Sequence, residues 1–112
     1  MASTRMEVLQ GTLDLMILQT LETLEPIHGY GITQRLRQMS VDLLDLNQGT
    51  LYPALLRLEQ RRWISSKWAL TDTNRRARFY SLTAKGRKQL KAETESWNRT
   101  VQLMNRLLAG ER

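Results

Sequence analysis

The segment NQGTLYPALLRLEQRRWI, residues 47–64, predicts a short amphipathic helix around which the other elements are arranged. Asn47 or Thr50 can cap its N-terminus, because a short side-chain oxygen accepts hydrogen bonds from the free amides of the first turn. Pro53 falls near that turn, where its missing amide costs little. Leucines spaced by four and three, with one more beside them, predict an apolar stripe that faces a core: Leu51, Leu55, Leu58 and Leu56.

The polar side chains of this helix lie off the apolar stripe. They carry amide, hydroxyl and guanidinium groups and belong to Gln48, Thr50, Tyr52 and Arg57. A short helix with a buried leucine stripe and such an outer face suits insertion into the major groove of DNA. Since any amphipathic helix has a polar face, the segments that follow are needed to support this interpretation.

The distribution of charge indicates a polyanionic partner. The 112-residue chain has a net charge of +6, and ten of its 17 Lys and Arg residues lie between Arg61 and Lys91, where the only acid is Asp72. The rest of the chain holds seven bases and ten acids, so the basic residues form a local patch. A solvated surface without a partner is the alternative.

Composition argues against several other classes of protein. The length suits one domain with one appended element. The absence of Cys excludes disulfides and thiolate metal sites and mildly favours a cytoplasmic location. With no long apolar run and no signal-like start, we expect neither secretion nor a membrane span. The lone His28 has no partner for a metal site or a general-base pair, so we predict no metal, no cofactor and no enzymatic activity.

Two further helices are predicted before the central one. Residues 12–24 place apolar side chains on a broad face, with Thr12 as a possible cap and an end before Pro26. After a turn at residues 28–31, a second helix has its inner side formed by Ile32, Leu36 and Met39. Residues 41–46 alternate apolar and acidic side chains, which predicts a short strand or an extended connector.

The residues after the central helix predict a β-hairpin with a basic tip. Residues 63–70 and 78–82 have the composition and alternation of two strands, and residues 71–76, TDTNRR, provide the turn. Because a bare hairpin is marginally stable in water, we expect aromatic residues to dock it on the helices: Trp63, Trp68 and Phe79. Three helices and such a hairpin form a winged helix, whose tip would lie over the DNA backbone or minor groove through Arg75 and Arg76.

Residues 83–108 predict one long helix that pairs two copies of the chain. Thr83 is the expected cap, and Gly86 is a mild cost inside the first turn. A repeat of four and three then runs along one side: Leu90, Thr94, Trp97, Val101, Met104 and Leu108. A helix of about 25 residues, roughly 37 Å long, cannot bury this seam on so small a domain. A second copy is the expected cover, and folding back onto its own domain is the alternative.

Together these patterns predict a mainly α fold with a small β-hairpin (α+β). Residues 1–82 would form a winged helix-turn-helix domain that binds DNA, and residues 83–112 a C-terminal dimerisation helix. A two-fold dimer would read a palindromic or near-palindromic site on double-stranded DNA. The alternative function is a winged helix used for protein–protein contact without specific DNA binding.

Five motifs carry a family resemblance in chain order: HGYGI at 28–32, GTLYPALLRLE at 49–59, WI at 63–64, RRARFYSLT at 75–83 and AKGRKQL at 84–90. In these motifs the sequence resembles the PadR family of bacterial transcriptional regulators, over about residues 9–92. The single long helix that follows is similar to the compact subfamily. One departure is Arg62, where the family usually has Gly and a tight turn would need a positive φ.

The resemblance implies a dimeric winged-helix regulator, commonly a repressor that a small molecule releases from its operator. Contacts from the recognition helix would fall on Gln48, Thr50, Leu51, Tyr52 and Arg57. Phosphate contacts would fall on Tyr30, Arg75, Arg76 and Arg78, and we add Lys67 from the same basic segment to the DNA-binding set. Some relatives hold flat aromatic drugs between two tryptophans of the C-terminal helices, which makes Trp97 a candidate ligand-binding residue. Packing in the seam is its alternative role.

Overall fold

The computed structural model describes residues 10–40 and 46–111. In these residues the elements are α1 (Gln10–Leu24), β1 (Ile27–His28), α2 (Gly29–Met39), α3 (Gln48–Gln60), β2 (Ile64–Leu70), β3 (Arg76–Leu82) and α4 (Ala84–Leu108). Their order confirms the predicted α+β winged helix with one long helix after it. The connector expected at residues 41–46 lies outside the described residues except for Leu46, whose side chain is buried.

The core lies where the inner faces of α1, α2 and α3 meet. Its fully buried side chains include Ile17, Leu18, Leu21, Ile32, Leu51, Leu55 and Leu58, and burial of each such side chain contributes about 1.5–3 kcal/mol. The leucine stripe of α3 is therefore confirmed in three of its four members. The prediction for Leu56 was wrong: its side chain is 58% exposed, because five residues after Leu51 it lies roughly 140° around the helix.

Side-chain caps fix where three helices begin. The Asn47 side chain accepts a hydrogen bond from the Thr50 amide at 3.0 Å, and the Thr83 hydroxyl accepts one from the Gly86 amide at 2.9 Å, so both predicted caps are confirmed. His28 caps α2 through Nδ1, which gives the lone histidine a structural role. Two other predictions about these helices were wrong. α1 begins at Gln10, before the expected cap Thr12. Met39 was expected on the inner side of α2, but its side chain is exposed.

The sheet has one more strand than the predicted hairpin. β2 and β3 pair in antiparallel register, with Ile64 opposite Leu82 and Leu70 opposite Arg76. The returning strand therefore starts two residues earlier than expected. β1 pairs with the other edge of β3, which gives the strand order β1-β3-β2. A strand of two residues has no detectable period, so the sequence did not predict it.

The hairpin of β2 and β3, residues 64–82, is the wing. At its base, backbone atoms of the turn after α3 and of the start of α4 lie in close contact. Arg62 has a φ of 63°, so the turn after α3 has the left-handed backbone that it was expected to need, although the residue is not Gly. The Thr83 amide donates a hydrogen bond to the Trp63 carbonyl oxygen at 3.1 Å, and the Thr83 hydroxyl lies 2.6 Å from the Arg62 carbonyl oxygen and 3.1 Å from that of Trp63. A Cβ at Gly86 would lie 1.9 Å from the Trp63 oxygen. Gly86 is therefore a steric requirement and more than a tolerated cost in the first turn.

Only the first part of α4 packs on the domain. Arg87 pairs with Glu22 and Glu25 of the α1 end, and its hydrogen bond to Glu25 raises the pKa of the guanidinium. Leu90 is 7% exposed and belongs to the core, so its prediction as a dimer contact was wrong. Farther along, large apolar side chains are exposed, which contradicts folding back of the helix onto its own domain: Trp97, Leu103, Met104, Leu107 and Leu108.

We predict that Gly86→Ala destabilises the fold by more than about 3 kcal/mol, because a backbone carbonyl cannot move aside as a flexible side chain can. Gly11→Ala is the matched control: it lies in α1, and a Cβ there meets nothing within 4 Å. The control should be neutral or stabilising by up to about 1 kcal/mol. Urea unfolding followed by circular dichroism measures both, and equal stabilities would contradict the steric role of Gly86.

Candidate nucleic-acid interface

The N-terminal half of α3 presents the polar face predicted for DNA contact. Thr50 is exposed and Tyr52 is half exposed, with its ring against the Cα of Gly29 at the start of α2. Gln48 is partly buried: its Nε2 lies 3.4 Å from the Thr33 hydroxyl, and its Oε1 is buried without a partner in the described part of the chain. Thr50 and Tyr52 are therefore accessible to a partner from solvent, whereas the Gln48 side chain is held against α2.

Two residues expected to contact DNA from α3 are committed to the interior instead. Leu51 is fully buried in the core, so its prediction as a DNA contact was wrong. The Arg57 guanidinium pairs with the Asp14 carboxylate of α1 at 2.6 Å, and the two side chains are only 26% and 12% exposed. Arg57 therefore lies on the side of α3 that faces α1, and this ion pair argues against the expected contact with DNA.

The wing has two unlike faces. Ser66 donates a hydrogen bond to Glu59 of α3 at 2.8 Å, so its face of the sheet is the one directed toward α3. Strand alternation puts Arg76 and Arg78 on this same face. Lys67 lies on the opposite face, across from Phe79. The structure thus brings Arg76 and Arg78 to the side of α3 but does not bring Lys67 there.

Trp68 is exposed beside the wing arginines. Its side chain is 56% exposed, and the guanidinium carbons of Arg76 and Arg78 lie 5.2 and 5.6 Å from its ring centroid. The prediction that Trp68 docks the hairpin was therefore wrong. Docking falls to partly buried Trp63, which packs against the core, and to Phe79, whose ring meets His28 edge-on at 5.3 Å.

A groove of about 420 Å³ separates the wing from the starts of α2 and α3. Its walls are aromatic and basic: His28, Tyr30, Tyr52, Trp68, Arg76, Arg78 and Tyr80. Tyr30 is exposed, and its hydroxyl accepts a hydrogen bond from Gln34 at 3.1 Å. Burial, reinforced by the charge of Glu59, raises the pKa of the Tyr80 hydroxyl, so this group stays neutral. The groove therefore offers cations and hydroxyls to an anionic backbone.

The tip of the wing is a tight turn that carries an exposed arginine. The Thr71 hydroxyl accepts a hydrogen bond from the Arg75 amide at 3.1 Å, and Asn74 has a φ of 63°. Arg75 itself is exposed. The turn residues thus fix the backbone and leave the guanidinium free to reach a partner.

A second cavity lies away from this surface, between α1, α2 and α4. It measures about 630 Å³ and is mostly apolar, with Leu15, Met16, Leu36, Met39, Thr94 and Trp97 among its lining residues. Trp97 is therefore both a seam residue and part of a cavity wall. Arg35 is the one charged side chain in the lining that the structure describes.

The comparison with protein families decides the interpretation of this arrangement. A family model described as the transcriptional regulator PadR-like family matches residues 17–92, more than half of the chain. The chain belongs to the PadR-like family. As a member of that family it is a DNA-binding transcriptional regulator and not an enzyme.

Solved structures of other regulators share the fold of this PadR-like chain. A PadR-like transcriptional regulator from Bacillus cereus is 27% identical with a TM-score of 0.79, covering 91% of this chain and 96% of that one. A transcriptional regulator from Clostridium thermocellum is 31% identical with a TM-score of 0.78, covering 87% and 93%. An uncharacterized protein of Lysinibacillus sphaericus is 22% identical over 106 residues, which cover 95% of this chain and 96% of that protein.

Two further findings on this PadR-like regulator concern membrane-spanning helices and metal sites. Across residues 10–40 and 46–111, no helix has both the length and the apolar content needed to cross a bilayer. The same residues contain no cluster of three or more His, Cys, Asp or Glu side chains that could hold a metal ion.

Sequence reasoning missed two sets of contacts, the ion pair between Asp14 and Arg57 and the contacts of Trp68 with the wing arginines. Asp14 was not singled out, although an acid flanked by Leu13 and Leu15 on a helix with a broad apolar face needs a cationic partner when buried. The contacts between Trp68 and the wing arginines carried a weaker signal. They depend on the strand register, and the predicted start of the returning strand was two residues away from the observed one.

We predict that Asp14→Ala destabilises the PadR-like fold by about 1–3 kcal/mol, because it leaves a partly buried guanidinium unpaired. Adding Arg57→Met should recover part of this loss, which a double-mutant cycle in urea would measure. Arg57→Met alone should leave the order of preference among operator variants unchanged. A loss of preference at one base pair with unchanged stability would instead assign Arg57 to base reading.

Proposed function

We propose that the chain is a transcriptional repressor that binds a near-palindromic operator as a homodimer and is released by a small aromatic ligand. The observation that carries the proposal is the groove shared by α3 and the wing: Tyr52 lines it together with Arg76 and Arg78, and Thr50 is exposed on the same turns of α3. One surface can therefore meet base edges and the phosphate backbone together.

Within this surface, position assigns different roles to different side chains. Thr50 and Tyr52 on the first turns of α3 are our candidates for contacts in the major groove, and Gln48 would join them by releasing the Thr33 hydroxyl. Tyr30 at the start of α2 and the wing residues Arg75, Arg76 and Arg78 are our candidates for phosphate contacts, since they are exposed and Tyr30, Arg76 and Arg78 line one groove beside α3. Neutralising phosphates supplies affinity, and the contacts from α3 would supply sequence preference.

The exposed part of α4 supports pairing of two chains. After Leu90, the seam residues Trp97, Met104 and Leu108 are exposed, and Val101 is partly so. Exposed leucines beside the seam widen this apolar surface, namely Leu103 and Leu107. A contiguous apolar surface on a charged helix marks an interface, and a second α4 of the same period is its best match. We accordingly propose residues 1–82 as the DNA-binding domain and 83–112 as the pairing helix.

The cavity between α1, α2 and α4 supports a ligand-binding role. Its volume of about 630 Å³ lies in the range of small-molecule sites, and its walls combine apolar side chains with a few polar groups. Trp97 can stack on a flat ring. Because Arg35 is the charged group that the described lining contains, we propose a neutral or negatively charged aromatic ligand. A regulator of this kind would act in the cytoplasm, where bacterial DNA is located.

We predict specific binding to its own promoter with an affinity that falls steeply with salt, by about 0.9 log units per log unit of salt for each phosphate contacted. The combined change Arg75→Ala and Arg76→Ala should lower this slope by about two. Lys67→Ala, on the other wing face, is the control and should leave the slope unchanged. Fluorescence anisotropy over a salt series measures all three proteins.

Weak, salt-insensitive binding of the unchanged protein to every duplex would contradict DNA recognition. It would favour the alternative of a winged helix used for protein–protein contact. An unchanged slope in the arginine variant, with tight binding retained, would instead place the wing tip away from the phosphates.

Two variants in the seam separate pairing from ligand binding. Met104→Glu should give monomers at micromolar concentration, because it places two carboxylates in one apolar contact, and it should weaken operator binding about hundredfold through lost avidity. Gln102→Glu, exposed on the other side of α4, is its control.

The Trp97→Leu variant tests ligand binding. It should stay dimeric, but an uncharged planar aromatic dye should no longer quench its tryptophan fluorescence as it does in the unchanged protein. Sedimentation and dye titration test this; a dimeric Met104→Glu variant or an unchanged dye titration would remove the corresponding proposal.

A further inference from the structure

We propose that Trp68 is a positioning residue for DNA binding, whose indole holds the guanidinium groups of Arg76 and Arg78 in place on the wing. The inference rests on the proposed DNA-binding function and adds how the cations of the wing are oriented before the duplex arrives.

The register of the hairpin brings the three side chains together. Trp68 lies directly opposite Arg78 on the neighbouring strand, and Arg76 is the diagonal neighbour on the same face. Cross-strand partners on one face are close enough to interact. Both guanidinium carbons lie within the distance of about 6 Å at which a cation is attracted to an aromatic ring, at 5.2 Å for Arg76 and 5.6 Å for Arg78.

The indole offsets a repulsion that the sequence creates. Arg76 and Arg78 are two positions apart on one strand, which puts their Cα atoms about 6.6 Å apart on the same face. Neither guanidinium forms an ion pair with a carboxylate of residues 10–40 or 46–111. The negative face of the indole is the group that attracts both cations, and it does so while more than half of the Trp68 side chain is exposed to water.

A position over the ring also leaves the guanidinium groups able to bind phosphate. The attraction acts through the π face of the indole and uses none of the N–H donors, which can still reach a phosphate in bidentate geometry. A free arginine loses much rotamer freedom when it binds, and one that is already held loses less. Trp68 therefore raises affinity without contacting DNA itself.

The surroundings of these side chains match this role. All three line the groove of about 420 Å³ whose opposite wall is formed by Tyr30 and Tyr52. A DNA strand that runs between the recognition helix and the wing would pass this groove. The held cations would then face the same strand as the tyrosine hydroxyls.

The test is a variant series in the full chain, measured by anisotropy with the promoter duplex at fixed salt. We expect Trp68→Leu and Trp68→Ala to bind about tenfold more weakly, the effect of freeing two long side chains. Trp68→Phe, which keeps an aromatic face, should recover most of the affinity. Leu70→Ala, an exposed neighbour on the same wing face, is the matched control and should bind as the unchanged protein does.

A double-mutant cycle separates positioning from direct contact. In a chain that already carries Arg76→Ala and Arg78→Ala, Trp68→Leu should change the affinity by less than about twofold, since no cation remains to be held. A full tenfold loss in that background would assign Trp68 to the DNA itself and overturn the inference. Equal binding by the Leu and Phe variants would overturn it too, because a simple apolar filler would explain the result.

Thermal unfolding of each variant keeps the interpretation independent of folding. The Leu and Phe variants should share one melting midpoint, so that the comparison between them isolates the aromatic face. If the unchanged protein binds no DNA fragment preferentially, the proposed function fails and this inference fails with it. If the unchanged protein binds and the Trp68 series shows no effect, only the positioning role is lost.

Discussion

The carbonyl oxygen of Trp63 is the point where the wing, the recognition helix and the long helix are joined. The Thr83 amide donates to it, and the Thr83 hydroxyl lies between it and the Arg62 carbonyl oxygen. The Cα of Gly86 approaches the Trp63 oxygen too closely for any side chain. The preceding turn needs the left-handed backbone of Arg62 to bring the carbonyl there. The angle between the wing and α4 therefore depends on contacts between backbone atoms at this point.

The helices and their ends could be predicted because their signals are local. The leucine stripe of α3 and the caps at Asn47 and Thr83 follow from spacing and from the chemistry of a single side chain. The long helix follows from its repeat. Its core contact at Leu90 was misassigned because a heptad pattern does not show where the domain ends and a partner would begin.

The features of the candidate interface that could not be predicted depend on neighbours distant in the sequence. Arg57 was expected to face DNA, but 43 residues separate it from Asp14, and only the packing of α1 on α3 shows that they pair. Trp68 was expected to dock the hairpin on the helices, because a bare hairpin is marginally stable in water. The strand register placed two arginines beside it instead. In both cases the structure brings a charged side chain next to a residue that is distant in the sequence. The spacing of residues along the chain does not show which side chains will meet in this way.

The basic segment also divides into separate roles once its positions are known. Arg61 lies over the ring of Trp63, Arg62 forms the turn and Arg87 pairs with two glutamates. The Arg61 and Arg87 side chains and the Arg62 backbone thus have roles within the fold, whereas Arg75, Arg76 and Arg78 form an exposed group on the wing. The count of basic residues alone does not separate these two sets.

The continuity of α4 has a mechanical consequence. The helix runs from the core at Leu90 to Leu108 without an interruption, so no flexible tether separates the wing from the seam. In a paired molecule the two α4 helices would set the separation of the two wings. A bound ligand could change that separation only by tilting a whole α4 helix. A small tilt near the core would then move the far end of the helix by a larger distance.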